Sequence, residues 1–186
     1  KDFLGKLGYR NNGTWAYYNN GSTITADSLL GVKYVLSKEK MNNYYIKTNE
    51  KNDIITAKNP FAFPLGFMAS SDILTVDMSE KNLFELQNNL LKAITHSEKS
   101  IFTAQDDVNI KFTNINEVKD GDNNVYQKTD ADKDAFIEYT MTANSTEPLY
   151  VHFPTDKMYQ TEIFLNGKSL GTYFDTYRYD IVSLGN

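Results

Sequence analysis

Residues 82–95 read NLFELQNNLLKAIT, and this stretch separates two kinds of pattern in the chain. Leu83, Leu86, Leu90 and Ile94 recur at helical spacing on one face, and Phe84 and Leu91 widen it. Asn82 precedes the run and Glu85 follows three residues later, the spacing of a capping box with Asn in place of Ser or Thr. Ser79 is a second candidate cap. The spacing predicts an amphipathic helix with Leu86 and Leu90 buried. Gln87 and Asn88 are placed to bond neighbouring backbone and so to fix a joint.

Beyond residue 100 the period becomes two. DVNIKFTNIN, AFIEYTMTA, LYVHFP and YQTEIFL alternate, and KDGDNN and TDADKD punctuate them. In FLNGKSLGTYFD (164–175), two apolar runs flank Asn166-Gly167, a pair whose residues both accept positive φ and therefore close hairpins. Short strands at regular spacing predict an antiparallel, jelly-roll-like β-sandwich.

The first part of the chain mixes signals. RNNGTWAYYNNGST (10–23) is turn-rich and aromatic. In TADSLLGVKYVLS (25–37), Asp27 is expected to N-cap a short helical turn and Gly31 to end it, with a buried strand over 32–36. YYIKTNE and DIITAKN alternate as strands do. FAFPLGFMASS (61–71) is apolar and broken by Pro64, with Pro60 just before it, and reads as an edge strand or an extended segment. The expected class is α+β: a small α/β unit over 1–78, a linking amphipathic helix over 79–97 and the β-sandwich over 98–186.

Composition restricts the partners. The 186 residues carry a net charge of −5 with no Lys/Arg cluster, which argues against nucleic acid as a partner. Cysteine is absent, which removes disulfides, thiolate nucleophiles and Cys-ligated zinc. No apolar run approaches the roughly 18 residues of a membrane span. The chain opens KDFLGKLGYR without a methionine and is expected to be part of a longer protein.

Chemistry-bearing motifs are sparse. No nucleophile elbow, zinc-protease helix or P-loop is present, so no catalytic residue and no cofactor is assigned. His96 lies at the helix end, where a cation is favoured. His152 alternates with Val151 and Phe153 and is expected to face solvent. Asp130, Asp132 and Asp134 match the first three ligand positions of an EF-hand loop, but Ala135 replaces its Gly and Met141 its Glu. Asp120, Asp122 and Asn124 fail likewise at Val125 and Ala131, so both clusters read as solvated turns and no metal site is assigned. Trp15, Tyr17 and Tyr18 lie among Asn-rich turns, and Tyr173, Phe174, Tyr177 and Tyr179 lie beyond the hairpin. Such rings either stack on sugars while amides bond the hydroxyls, or form a core-facing row. Trp15, Tyr17 and Tyr18 are the ligand-binding candidates. Glycosylation sequons at Asn12, Asn20 and Asn144 matter only in a eukaryotic secretory setting.

Three segments, in order, resemble the outward-facing region of YfhO-like bacterial membrane proteins. They are DSLLGVKYVLS (27–37), NPFAFPLGFMAS (59–70) and NLFELQNNLLKAIT (82–95). The family's Leu-Leu-Gly-Val-Lys-Tyr strand corresponds to Leu29 to Tyr34, its apolar Leu-Pro-Gly-Phe segment to Phe63 to Phe67, and its Phe-Glu-x-Gln-Asn helix to Phe84 to Asn88. Leu83 departs from the pattern, where a proline is common. The resemblance implies a domain on the extracytoplasmic side of a bacterial cell membrane, tethered by transmembrane helices outside this chain. It implies an accessory role in a glycosyltransferase of the GT-C type that moves a sugar from a polyprenyl-phosphate carrier onto envelope polymers such as lipoteichoic acid. The partners it implies are the membrane-embedded remainder of the same chain and a cell-envelope glycan. It supplies no catalytic residue here. The competing readings are a structural or protein-interaction domain and a free-standing carbohydrate-binding module.

Overall fold

A computed structural model describes residues 2–11, 16–17, 22–38, 41–121, 123–143, 146–153, 161–173 and 181–185. The fold is α+β, as the sequence predicts, and all described strand pairs are antiparallel. The chain forms two compact units, Lys1–Phe102 with Glu147–Asn186, and Thr103–Thr146.

The first unit begins with helix α1 (Asp2–Lys6) and a two-residue ladder of β1 (Arg10–Asn11) with β2 (Ala16–Tyr17). Helix α2 (Ile24–Leu29) follows. Its N-cap is Thr23, whose hydroxyl accepts from the Ala26 N–H at 3.1 Å. Asp27 is therefore not the cap that the sequence suggested. It lies one turn inside, fully buried, because Thr23 offers the same capping chemistry four residues earlier. Gly31 does end the helix: its φ of +68° is the left-handed stop that glycine favours, and an added Cβ would meet the Phe63 carbonyl oxygen at 3.1 Å. Strands β3 (Tyr34–Ser37), β4 (Ile46–Lys51) and β5 (Ile54–Lys58) form a sheet in the order β3-β5-β4. Val35 and Ala57 are cross-strand partners and both are buried, in a cluster with Ile24 and Tyr45. Alternation leaves Tyr34 and Leu36 on the exposed face.

Residues 59–70 pair with no strand, so the edge strand does not form, and a turn at 60–61 and a bend at 65–66 interrupt the run. A 3₁₀ turn (Ser71–Thr75) leads to helix α3 (Leu83–Thr95). Asn82 caps α3, accepting from Phe84 and Glu85 N–H at 3.1 and 3.4 Å. Its own N–H goes to Glu80 Oε1 at 2.7 Å. Leu83, Leu86 and Leu90 are buried, and Leu86 and Leu90 pack with Leu7, Tyr9 and Ala26 in the main core. Gln87, on the same face, is also buried, and so is Asn88, which points away from the leucines to the backbone of Ile101 and Phe102.

Among the described residues, the rest of this unit is two hairpin-sized ladders. β10 (Leu149–His152) pairs with β13 (Ile181–Gly185), and β11 (Thr161–Leu165) with β12 (Lys168–Tyr173). Asn166 and Gly167 take φ values of +50° and +78°, the primed turn their sequence calls for. Val151, Phe153, Val182 and Leu184 from one ladder share an apolar layer with Ile163 and Leu170 from the other. The second unit nests the hairpin of β7 (Ile115–Asp120) and β8 (Asn123–Lys128) inside the pair of β6 (Asn109–Thr113) and β9 (Phe136–Thr140). None of its described residues is fully buried.

Candidate functional site

Trp15 and Tyr18 lie outside the described residues, as do Phe174, Tyr177 and Tyr179. Tyr17 closes β2 opposite Arg10 and Tyr173 ends β12, and for both only the backbone is described. Asn12, Asn20 and Asn144 also fall outside.

The Asp130 loop is held by its own frame. Asn114, at φ +56°, donates its amide to the carbonyls of Asp130, Lys133 and Asp134 at 2.8, 3.1 and 3.2 Å. Its carbonyl oxygen accepts from Thr129 Oγ1 and Asp130 N–H. The Asp130 carboxylate pairs with Lys133 at 2.8 Å and accepts from the Asp132 N–H, contacts that hold its pKa below the usual carboxylate range. The Asp130 carboxylate is thus engaged within the turn, and among the described residues no group of three or more His, Cys, Asp or Glu side chains is gathered to hold a metal ion.

Two features were not legible as sites. The first is a buried polar network. Asp27, with no exposed surface, accepts from Tyr9 Oη at 2.7 Å and from Tyr45 Oη. Thr23 donates to Gln87 Oε1 at 2.5 Å, and Gln87 donates to the Leu7 carbonyl at 3.4 Å. Asn59 donates to Ser28 Oγ and to the Val32 carbonyl. Asn88 accepts from the N–H groups of Ile101 and Phe102, both at 3.0 Å, and donates to the Phe102 carbonyl at 2.9 Å. Nearby, Asn42 donates to Tyr150 Oη at 3.0 Å and Tyr44 donates to Glu147. Burial, then the Glu147 carboxylate, pushes the Tyr44 hydroxyl up to about 12, and burial raises Tyr150 further. These groups are committed to holding the fold together.

Against its expected exposure, His152 is half-buried. Its ring lies 6.0 Å from that of Phe84 in an edge-on pair, beside Phe102 and Tyr150. Burial pushes its pKa down to about 4. The alternation of 151–153 fails as a guide because all four residues of β10 are half-buried, with no open face to mark. His96 sits at the end of α3 as expected, in the left-handed conformation, 3.6 Å from Asp72.

The second feature is apolar and outward. Residues 59–71 carry no charged side chain. Leu65 and Met68 are 104 % and 96 % exposed, Phe61 57 % and Phe67 42 %. The segment is braced at both ends. Asn59 N–H reaches the Lys33 carbonyl and Phe63 N–H the Ser28 carbonyl, both at 2.9 Å, and Asn59 Oδ1 accepts from Phe61 N–H. At the other end Ser70 caps the 3₁₀ turn, and Ile73 and Val76 pack on the main core. The Phe63 and Phe67 rings meet edge-on at 4.9 Å. Phe67 also borders an open cleft of about 310 Å³, lined by Leu90 and Ile94 of α3, Ile73 and Met78, Leu29 of α2 and Phe3 of α1. The signal that reveals this feature in the sequence is the charge-free run itself.

Fold and surface together define an α+β domain that displays bulky apolar side chains from a braced loop. The family model described as bacterial membrane protein YfhO matches residues 1–186. The chain belongs to this YfhO family of bacterial membrane proteins. No curated protein and no solved structure matches it. No helix among the described residues is long and apolar enough to cross a membrane.

Proposed function

We propose that this chain is an extracytoplasmic accessory domain of a membrane glycosyltransferase that modifies cell-envelope polymers such as lipoteichoic acid. Its role is to position the acceptor or to support the membrane catalytic part of the same protein. The observation that carries the reading is the match of the whole chain to a membrane-protein family. The resemblance of the 27–37, 59–70 and 82–95 segments to a GT-C-like family adds the reaction class. The test is made in cells. Deleting the gene should remove the glycosyl substituents seen by NMR on purified lipoteichoic acid, and the full-length gene should restore them. Unchanged glycosyl content would overturn the reading.

A structural or protein-interaction role is favoured by the exposed apolar loop, and glycan binding separates the two. Trp15, Tyr17 and Tyr18 remain the proposed sugar contacts. Ring stacking and hydrogen bonds to one short glycan give a Kd on the order of 0.1–1 mM. A negatively charged domain is repelled by polymer phosphates, so phosphorylated fragments should bind no more tightly than neutral ones, and tight binding that weakens steeply with salt would refute the stacking account. No binding of either points to the structural role.

A further inference from the structure

The braced loop presents its apolar side chains in a way that core packing does not explain. Core residues leave water on folding, yet Leu65 and Met68 remain as exposed as in an unfolded chain. Two such residues on an unconstrained loop would be ordinary. Here the buried Asn59, the Phe63 N–H bond to the Ser28 carbonyl, the Gly31–Phe63 approach and the packed Ile73 fix the loop on both sides. A held loop keeps bulky apolar tips outward at little ordering cost when they meet a partner.

We propose that the tip of this loop, Leu65, Phe67 and Met68, inserts shallowly into the surface of a phospholipid bilayer. Three observations favour a bilayer over a protein groove as the occupant. Residues 59–71 contain no Asp, Glu, Lys or Arg, so no charge has to be dehydrated. The tips project outward, which suits a soft medium that closes around them. The chain belongs to a family of membrane proteins. Insertion is shallow because the backbone of a tip that lies outside any helix or strand must keep its water. It is driven by apolar transfer and not by charge, since the chain is negative and bacterial bilayers are anionic. The inference rests on reading the chain as a domain that works beside a bilayer. It does not depend on glycosyl transfer, so its assay and the lipoteichoic acid assay fail separately.

The test uses vesicles of phosphatidylglycerol and phosphatidylethanolamine. The chain has no cysteine, so Met68→Cys takes a single environment-sensitive dye. Adding vesicles should blue-shift the dye at position 68 but not at position 36, where Leu36→Cys marks an exposed apolar site on β3. Binding measured by co-sedimentation should not weaken as salt is raised from about 0.05 to 0.5 M. Leu65→Ser with Met68→Ser should lower the partition coefficient about tenfold or more, with an unchanged melting curve because both side chains lie outside the core. Equal shifts at positions 36 and 68, no shift at either, binding lost with salt, or binding retained in the double variant would each overturn the proposal.

Discussion

Asp27 shows what a residue can conceal. Read locally it is a helix cap; in the fold it is a carboxylate that two tyrosine hydroxyls address across the core. Removing it leaves Tyr9 and Tyr45 without that acceptor in a place water does not reach. Asp27→Ala should therefore cost about 2–4 kcal/mol in urea denaturation, whereas Tyr45→Phe, which removes one donor, should cost about 1–2 kcal/mol. Equal small losses would show that the network is not structural. His152 carries the opposite electrostatic message. Its folded pKa, about 4, lies below the free value of 6.5. Between these values the unfolded chain binds a proton that the fold excludes, so stability is full above pH 6.5 and falls as the pH drops toward 4. With allowance for its partial exposure, the loss between pH 7 and 5.5 should be about 1 kcal/mol. His152→Gln should flatten that part of the stability profile, and an unchanged slope would assign the pH dependence to other groups.

Among the elements, helix α3 is the one the sequence specifies most fully. Apolar period and length agree there, and Asn82, Leu86 and Leu90 occupy the expected places, although Glu80 and not Glu85 takes the Asn82 N–H, so the capping box is only half formed. Leu86→Ala should cost ~3–5 kcal/mol because Leu86 is enclosed. Leu90→Ala should cost less, ~2–3 kcal/mol, because Leu90 already borders the open cleft and its loss enlarges a space that water can enter. A Leu90 penalty above that of Leu86 would mean that the cleft is closed in solution. The hairpin at Asn166-Gly167 was equally legible, since its turn chemistry is local. The partners of the ladders were not. β10 pairs with β13 across some thirty residues, and no alternation pattern names its own partner. The candidate surface was half legible: the charge-free run is visible in the sequence, but its exposure follows from Asn59 and Ile73 holding its ends, which are long-range contacts.

At the scale of the whole molecule, the chain leaves its first unit after Phe102 and re-enters at Glu147. Both points are fastened: Asn88 bonds Ile101 and Phe102, and Tyr44 bonds Glu147. They are also neighbours, since the Phe102 ring lies 6.0 Å from that of Tyr150. Residues 103–146 therefore enter and leave through a single doorway in the first unit. Such a segment behaves as a cassette. Replacing 104–145 by a Gly-Ser bridge of about six residues should leave the first unit folded, with one cooperative melting transition and the Tyr44, Tyr150 and His152 surroundings intact by NMR. Loss of that transition would show that the cassette is part of the fold it interrupts. If the first unit does survive, the same doorway becomes a splice site. A fluorescent domain or an epitope set between Phe102 and Glu147 would then report where this domain resides in a living cell while leaving the apolar loop at 59–71 untouched.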